Sequence, residues 1–254
     1  MFTQAAIKRK SVRSYSSQKF SDETKLEIAQ AIKELTPLYD DAVTNFKLVP
    51  ENLIHGEVKG RAVKAPYYII ISADKADGYL ENAGYMAEQL VIWLTEKGIG
   101  SCYCGMVKPR EVNDIEGEYC ITLALGYPAE KESFRQSEEE FKRKSLEDYL
   151  IGDKENDFLE PFIRYARLAP SAVNKQPAVY EMNGAGIVAY RRKPGKILNL
   201  EKMQRIDMGI SLSHIFMYAK ENGLHVDYYK DNVTPKDKLI YFISLNIMEE
   251  IEDE

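Results

Sequence analysis

Apolar and polar positions repeat with two different periods along this 254-residue chain, and these periods predict its helices and strands. Ser21–Thr36 begins with Ser and Asp and then carries apolar residues at helical spacing, so it predicts a capped helix. Tyr79–Gly98 predicts a long, largely buried helix that stops at a glycine. Two runs rich in β-branched and aromatic residues predict strands, Ala65–Asp74 and Tyr119–Pro128.

The same order of elements recurs after a charged stretch, Ala129–Ser145, which predicts a solvated linker or an exposed helix. Beyond it the pattern predicts a helix, a strand, a long helix and a strand over Asp157–Ala169, Ala185–Arg192, Met203–Gly223 and Lys238–Met248. The two long helices align on glycine pairs with one separation, Gly84 to Gly98 and Gly209 to Gly223. An internal duplication explains this match, although small residues that permit close helix packing give the same spacing by themselves.

Composition and charge exclude several classes of protein. A net charge of -6 and a pI near 5.4 argue against a general nucleic-acid binder. The N-terminal residues lack an apolar core of signal-peptide length, and the longest apolar run, YYIII, is far too short to span a bilayer. The three cysteines imply no disulfide framework. We therefore expect a cytoplasmic protein that binds neither nucleic acid nor membrane.

Three short motifs carry a resemblance to a known family. KRKSVRSY at Lys8–Tyr15 resembles the Arg-Arg-Ser-x-Arg-x-Tyr/Phe opening, here called the Arg motif, of the FMN-dependent nitroreductases. APSAVNKQP at Ala169–Pro177, here called the Pro-Ser loop, resembles their Ala-Pro-Ser-x-x-Asn-x-Gln-Pro loop. KGIGSCYCG at Lys97–Gly105, followed by LALGYPAE, resembles their third hallmark. Together the motifs look most like the branch of nitroreductases in which one chain carries two degenerate copies of the fold.

That resemblance implies an α+β, nitroreductase-like fold, an internally duplicated pseudo-dimer with antiparallel or mixed sheets packed against long central helices. It divides the chain into a first half, residues 1–140, and a second, degenerate half, residues 141–254, which are expected to form one compact unit. In the ordinary family, FMN lies at a dimer interface and takes the Arg motif from one subunit and the Pro-Ser loop from the other.

The degeneration of each half sets the expected stoichiometry. Lys33–Phe46 stands where the first half should carry a Pro-Ser loop. In the second half, Arg143–Tyr149 echoes the Arg motif, but Glu147 replaces its second arginine. The resemblance therefore implies one FMN per chain, bound between the two halves of a monomer.

The Arg motif supplies the phosphate candidates Arg9, Lys10, Ser11 and Arg13. Arg9 and Arg13 lie four residues apart, so on a helical turn they would share a face and grip one phosphate. Ser11 would donate a further hydrogen bond. A solvated basic N-terminus is the alternative explanation of the cluster.

Lys142 and Arg143 have two interpretations. The family has a Lys/Arg pair just beyond its Leu-Gly-Tyr-Pro strand that also reaches the phosphate, and these residues occupy roughly that place. The same pair opens the echo of the Arg motif, which would start the second repeat. The sequence leaves both interpretations open.

The Pro-Ser loop supplies the flavin candidates Pro170, Ser171, Ala172 and Asn174. The resemblance implies that Pro170 and Ser171 place backbone and hydroxyl groups against the flavin ring or the ribityl chain. Asn174 offers an amide that both donates and accepts, with a turn or helix-capping role as its alternative. Ala178 stands where the family often has Trp, which weakens any inference about the substrate.

The third motif supplies Tyr103, Cys104 and Gly105, where the family places a backbone turn beside the flavin. Backbone N–H groups there would stabilise charge on the reduced ring. Gly105 permits the close approach that such a turn requires.

Cys102 and Cys104 also suggest a Cys-x-Cys metal site. The remaining cysteine and three scattered histidines, His55, His214 and His225, supply no ligand set with zinc spacing. A strand that turns alternate residues to one face explains the pair, so no metal is expected.

No acid–base pair, nucleophilic triad or phosphate-binding glycine loop stands out, so no catalytic side chain is assigned. This absence is expected where the cofactor carries the chemistry. The resemblance implies that NADH or NADPH reduces FMN, and that a small-molecule acceptor such as a nitroaromatic or a quinone is then reduced. Tyr190–Lys193 would suit the extra phosphate of NADPH, but an exposed strand end explains it better. A flavin carrier or sensor with little turnover, or a duplicated scaffold that has lost FMN, are the alternatives.

Overall fold

The structure is a computed structural model of the whole chain. It describes residues 1–53, 63–105, 115–130, 133–152, 155–184, 186–194 and 200–249. His55, Ala185 and part of the charged stretch, residues 131–132, lie outside the described residues.

Two compact units make up the chain. The first unit is Ile7–Glu140, and the second unit combines Met1–Ala6 with Phe141–Glu254. Helix α1 (Phe2–Lys8) begins in the second unit, where the Phe2 ring makes edge contacts with the rings of Tyr165 and His214. These aromatic contacts explain why the first six residues join the second unit, which the division at residue 140 did not anticipate.

The first unit combines two helices with an antiparallel sheet. Its remaining elements are α2 (Asp22–Lys33), β1 (Thr44–Pro50), β2 (Tyr67–Ala73), α3 (Tyr79–Glu96), β3 (Gly100–Tyr103) and β4 (Glu118–Gly126). The strand order is β1-β2-β4-β3, with every neighbouring pair antiparallel. β2 is buried along its whole length because it lies inside the sheet and packs against α3.

Helix α3 forms the centre of this unit and is buried on nearly every face. A helix in such a position is expected to be apolar all round. Asn82 and Glu88 break that rule, since both are fully buried. Their partners, described below, explain why the fold tolerates them.

The second unit has a five-stranded mixed sheet. Its elements are β5 (Leu150–Ile151), α4 (Glu160–Leu168), β6 (Ala178–Asn183), β7 (Gly186–Arg192), α5 (Leu200–Glu221), β8 (Leu224–Tyr229) and β9 (Leu239–Glu249). The strand order is β5-β6-β7-β9-β8, in which only the short pair β5–β6 is parallel. The four antiparallel strands β6-β7-β9-β8 repeat the order of the first-unit sheet. In each unit the long helix follows the second of these strands along the chain, so α3 lies between β2 and β3, and α5 lies between β7 and β8.

The predicted helices and strands are found, with ends that differ by a few residues. α2 starts after Ser21, whose hydroxyl accepts from Thr24 N, and stops at Lys33, short of the predicted end. α4 starts at Glu160, later than predicted, with Pro161 in its first turn, where a missing N–H costs nothing. The charged stretch forms a short 3-10 turn, Glu138–Glu140, within its described part. Among the described residues, no helix is both long and apolar enough to cross a membrane.

Candidate functional site

The Arg9–Tyr15 segment lies beside β3 and is not helical. α1 ends at Lys8, and Ser11 then forms a parallel bridge with Ser101. Val12 N donates to the Ser101 carbonyl at 2.9 Å. The expectation that both motif arginines lie on one helical turn is therefore wrong, because backbone bonds to β3 replace the helical ones.

Gly100 allows this close approach. A Cβ at Gly100 would lie 2.8 Å from the Cβ of Val12, nearer than such atoms can pack. On the other side, the Tyr15 hydroxyl donates to the carbonyls of Val12 at 2.7 Å and Ala124 at 3.2 Å. The segment is thus fixed against both β3 and β4.

Arg9 is a buried cation with an incomplete set of partners. The residue is 3 % exposed, and its Nε lies 3.9 Å from Oε1 of the fully buried Glu88. This Nε makes no hydrogen bond to any described group. Oε2 of Glu88 accepts from the Tyr103 hydroxyl at 2.8 Å. The Arg135 guanidinium donates to the Arg9 carbonyl. Glu88 compensates the charge of Arg9, and the unpaired Nε leaves a donor suited to an oxyanion.

Sequence reasoning missed Glu88. Its signal was a carboxylate inside an otherwise apolar helical run, MAEQLVIWL, where burial requires a partner. The partner could not be identified without knowing that the N-terminal segment lies beside β3.

Arg13, Lys10 and Ser11 are more accessible than Arg9. Arg13 and Lys10 are exposed, whereas Ser11 is half-buried. The Arg13 Nη1 donates to the Ser11 carbonyl at 3.2 Å. This local contact bends the Arg13 side chain back along its own segment.

The charges of the two motif arginines affect the pKa of a neighbouring thiol, that of Cys102. A hydrogen bond from Cys104 lowers the pKa of Cys102 to about 7, with further contributions from the charges of Arg13 and Arg9. The same bond and burial raise the pKa of Cys104. A thiol at the end of β3 therefore experiences a positive field from both motif arginines, which any bound anion would share.

The cysteine pair has the strand explanation that the sequence favoured. Cys102 and Cys104 both lie in one buried cluster with Tyr68 and Ala124, as alternate residues on one face of a strand should. Within the described residues, no group of three or more His, Cys, Asp or Glu side chains is placed to hold a metal ion. Beyond the pair, Gly105 is exposed in a turn.

In the second unit, the Pro-Ser loop closes on itself. Gln176 N donates to Ser171 Oγ at 2.8 Å, and Gln176 Nε2 donates to the Asn174 carbonyl at 2.9 Å. Val173, Asn174 and Gln176 have φ values of 45°, 56° and 52° in the left-handed region. For Val173, a β-branched residue, that conformation is strained, and strain of this kind concentrates at ligand-binding segments.

Asp207 of α5 accepts hydrogen bonds from the backbone of this loop. Its two carboxylate oxygens accept from Ala172 N at 3.0 and 3.1 Å. Burial raises the pKa of Asp207 to about 8, against the opposing effect of the Ala172 hydrogen bond. Asp207 also lines a cavity of about 10 Å³, room for one water molecule, with Pro170 and Ser171. Sequence reasoning missed Asp207, although an acid inside a buried helix was the same signal as for Glu88.

Arg143 ties the start of the second unit to the Pro-Ser loop. Its Nε and Nη2 donate to the carbonyls of Arg167 at 3.0 Å and Leu168 at 2.9 Å, at the end of α4. Its Nη1 donates to Asn174 Oδ1 at 3.0 Å, while Asn174 Nδ2 donates to the Lys142 carbonyl at 2.9 Å. Arg143 therefore caps α4 and holds the loop, and the exposed Lys142 side chain keeps its ammonium in solvent.

The predicted motifs thus meet in two clusters, one in each unit. The Arg motif and the third motif lie side by side in the first unit. Lys142, Arg143 and the Pro-Ser loop lie together in the second.

An α+β fold with these sheets and these two clusters defines a protein of the nitroreductase class. The family model described as "Putative TM nitroreductase" matches residues 2–219, and the chain belongs to this family. The resemblance drawn from the three motifs is thereby confirmed.

One solved structure shows the same fold, and shorter solved structures match part of the chain. A putative nitroreductase from Thermotoga maritima MSB8 shares 20% identity at a TM-score of 0.66, over 96% of this chain and 93% of that chain. A nitroreductase family protein from Clostridium difficile 630 matches 61% of this chain and 99% of its own, at 16% identity and a TM-score of 0.49. A nitroreductase with bound FMN from Desulfitobacterium hafniense DCB-2 matches 57% of this chain and 98% of its own, at 14% identity and a TM-score of 0.44. No curated protein sequence matches the chain.

Proposed function

We propose that this chain is an FMN-dependent oxidoreductase. One observation carries the proposal, the buried Arg9 guanidinium whose Nε has no hydrogen-bond partner, set beside an exposed Arg13. Two arginines and a half-buried hydroxyl, that of Ser11, fit the terminal phosphate of FMN, which is nearly dianionic at neutral pH. Membership of the nitroreductase family supports the same cofactor.

Each cluster has a distinct task in this proposal. Arg9, Ser11 and Arg13 bind the phosphate, with Lys10 adding positive charge. The backbone of Tyr103 and Gly105 faces the flavin where negative charge develops, whereas the Cys104 N–H already donates to the Thr122 carbonyl at 2.8 Å.

In the second unit, the flavin and the ribityl chain contact Pro170, Ser171, Ala172 and the backbone of Asn174. The side-chain amide of Asn174 already bonds Arg143 and the Lys142 carbonyl. Arg143 positions the Pro-Ser loop through Asn174 and the end of α4. Lys142, which is exposed, remains a phosphate candidate.

When bound, FMN supplies the redox chemistry, taking hydride from NADH or NADPH and passing electrons to a nitroaromatic or quinone-like acceptor. The chain's own residues bind and orient, and none needs to act as a nucleophile. The hydrogen bond from Cys104 is the main cause of the lowered pKa of Cys102, and the charges of Arg13 and Arg9 that add to it would also favour negative charge on a bound cofactor.

We also propose that the chain arose by internal duplication. The shared strand order of the two sheets and the placement of the long helix between the second and third antiparallel strands support it. So does the alignment of Gly84 in α3 with Gly209 in α5. Because one Arg motif and one Pro-Ser loop survive, we expect one FMN per chain.

The test is an absorbance spectrum of the purified protein after incubation with FMN and removal of the excess, followed by anaerobic addition of NADH and, separately, NADPH. We expect bound flavin absorbance that one or both nucleotides bleach and that a quinone restores. A protein that binds no flavin contradicts the proposal. Bound flavin that neither nucleotide bleaches would instead favour the carrier or sensor interpretation.

A further inference from the structure

The contact between Asp207 and the Pro-Ser loop has a counterpart in the first unit. Asn82 Oδ1 accepts from Leu38 N at 2.7 Å and from Tyr39 N at 3.1 Å. Asn82 Nδ2 donates to the Ala42 carbonyl at 2.7 Å and to Thr44 Oγ1 at 3.0 Å. A fully buried polar side chain of the long helix thus holds the loop before the first sheet.

The two contacts occupy equivalent positions in the sequence. Each acceptor stands two residues before an aligned glycine, Asn82 before Gly84 and Asp207 before Gly209. The amides held by both acceptors also correspond, since Tyr39 follows Pro37 by two residues and Ala172 follows Pro170 by two residues. The segment 37–42 has lost the Pro-Ser motif but has kept its attachment to the helix.

Retention of this attachment where the motif is lost shows that it serves the fold in the first unit. In the second unit the same attachment acts on a loop with a strained Val173 at its tip. Ala172 N has both side-chain oxygens of Asp207 as its acceptors, so this attachment of the loop to α5 depends on one side chain.

We propose that Asp207 is a positioning residue that holds the Pro-Ser loop in its cofactor-binding conformation, and that Asn82 is its purely structural counterpart. The assignment rests on the proposed function, since it concerns the loop expected to contact FMN. Asp207 acts through the Ala172 amide and does not itself touch the cofactor.

Three single variants test the assignment. Asp207→Leu fills a similar volume but removes the acceptor, whereas Asp207→Asn keeps one oxygen in place, as Asn82 does. Ala172→Pro removes the donor from the opposite side of the contact. Proline suits this position because Ser171 before it is extended, with φ -145° and ψ 157°, and Ala172 opens a 3-10 turn. Asn82→Leu is the matched control in the first unit.

FMN titration by fluorescence is the first measurement. We expect Asp207→Leu and Ala172→Pro each to weaken FMN binding roughly ten- to hundred-fold, as loss of a buried hydrogen bond should. Asp207→Asn should recover most of this affinity. The double variant Asp207→Leu/Ala172→Pro should lose little more than either single change, because both remove one contact. Asn82→Leu should lower stability and leave FMN affinity close to that of the wild type.

Hydrogen exchange of the loop amides, residues 171–176, gives a readout that needs no FMN. We expect faster exchange in Asp207→Leu and unchanged exchange in Asp207→Asn.

Equal exchange rates in the wild type and Asp207→Leu would overturn the positioning role, as would FMN binding that Ala172→Pro leaves intact. A wild type that binds no FMN contradicts the proposed function, and loop exchange then still decides whether Asp207 is the anchor. If Asp207→Leu does not fold, loop exchange in Ala172→Pro decides, and we expect it to be faster than in the wild type. This variant leaves the core side chains unchanged, and exchange does not depend on a direct contact between Ala172 and FMN.

Discussion

At the scale of single residues, the two motif arginines differ sharply in burial. Substituting the buried one would disturb the fold, whereas substituting the exposed one would affect mainly cofactor binding. Arg9 is buried against Glu88, so its removal would leave a buried carboxylate without a counter-charge and would disturb the fold. Arg13 is exposed and makes one local hydrogen bond. Arg13 is therefore the residue whose substitution reports on the cofactor.

We expect Arg13→Ala to weaken FMN binding by about 1.5–3 kcal/mol, the usual cost of losing a charged hydrogen-bond partner. Riboflavin binding should hardly change, because riboflavin lacks the phosphate. Arg13→Lys should recover part of the loss, since lysine cannot reproduce the planar fork of arginine. Titration of both flavins into each apoprotein measures the effect, and Lys33→Ala, at an exposed position in the last turn of α2, is the control for a general loss of positive charge. Equal losses for FMN and riboflavin would show that Arg13 is not a phosphate ligand.

The sequence identified Arg9 and Arg13 from their motif but not their surroundings. A residue type and a spacing predict which chemistry a segment offers. They do not show that Glu88, which lies 79 positions beyond Arg9, neutralises one of the two charges. Asp207 was also missed, because its partner is the Ala172 backbone amide, which no side chain marks in the sequence.

Asp207 also predicts a pH dependence of stability. Its pKa is raised from 3.8 to about 8, so the folded state favours the protonated form more than the unfolded state does. Its stabilising contribution is complete below about pH 4 and is lost as the pH rises to about 8. Tyr149, which lines the same cavity, titrates above this window because burial raises its pKa to about 12.

We therefore expect the free energy of unfolding to fall with pH across this window more steeply in the wild type than in Asp207→Asn. Urea unfolding at several pH values measures the difference between the two proteins. Cys102 acts in the opposite sense, because its lowered pKa of about 7 adds stability as the pH rises above that value. Since Cys102 is present in both proteins, its effect cancels. Parallel curves for the two proteins would show that Asp207 does not carry a raised pKa.

At the scale of elements, the Arg motif is positioned by β3, and Gly100 is the point of closest approach. We expect Gly100→Ala to force the Arg9–Tyr15 segment away from β3, because the new Cβ would lie within 3 Å of all three side-chain carbons of Val12. Overpacking of this kind typically costs about 1–3 kcal/mol of stability. FMN affinity should fall as well, since the segment carries the proposed phosphate ligands.

Adding Val12→Ala to Gly100→Ala removes two of the three clashing atoms and should recover part of both losses. Thermal unfolding and FMN titration of the single and double variants measure this. Recovery of stability without recovery of FMN affinity would mean that the position of the segment does not govern binding.

The elements predicted from the sequence were those with strong internal patterns. α3 and β2 are buried on most of their surface, so their apolar runs identify them. Helix α1 and strands β1, β5, β6 and β8 were missed. β1 and β8 are edge strands with half-buried or alternating patterns, and pairing with a neighbour makes them strands. The parallel contact between Ser11 and Ser101 has no local signal at all.

At the scale of the whole molecule, the two units have the same antiparallel strand order but carry different motifs. The first unit carries the Arg motif and the third motif, and the second carries the Pro-Ser loop. The shared order could be anticipated from the recurrence of helices and strands along the chain. The assignment of Met1–Ala6 to the second unit could not, because it depends on ring contacts of Phe2 with residues more than 160 positions away.

The distribution of motifs predicts how the protein assembles with its cofactor. Ordinary members of the family, as the motif resemblance implies, dimerise so that two subunits each supply part of a flavin site. Here one chain carries one complete set of the retained motifs, and the segment 37–42 in the first unit holds no second Pro-Ser loop. We therefore expect a monomer that binds one FMN at saturation.

Light scattering coupled to chromatography gives the mass of the flavin-bearing species, and extracted flavin measured against protein gives the ratio of FMN to chain. A ratio near two, or flavin found only on a dimer, would mean that the second pseudo-site is active or that two chains are needed to build one site.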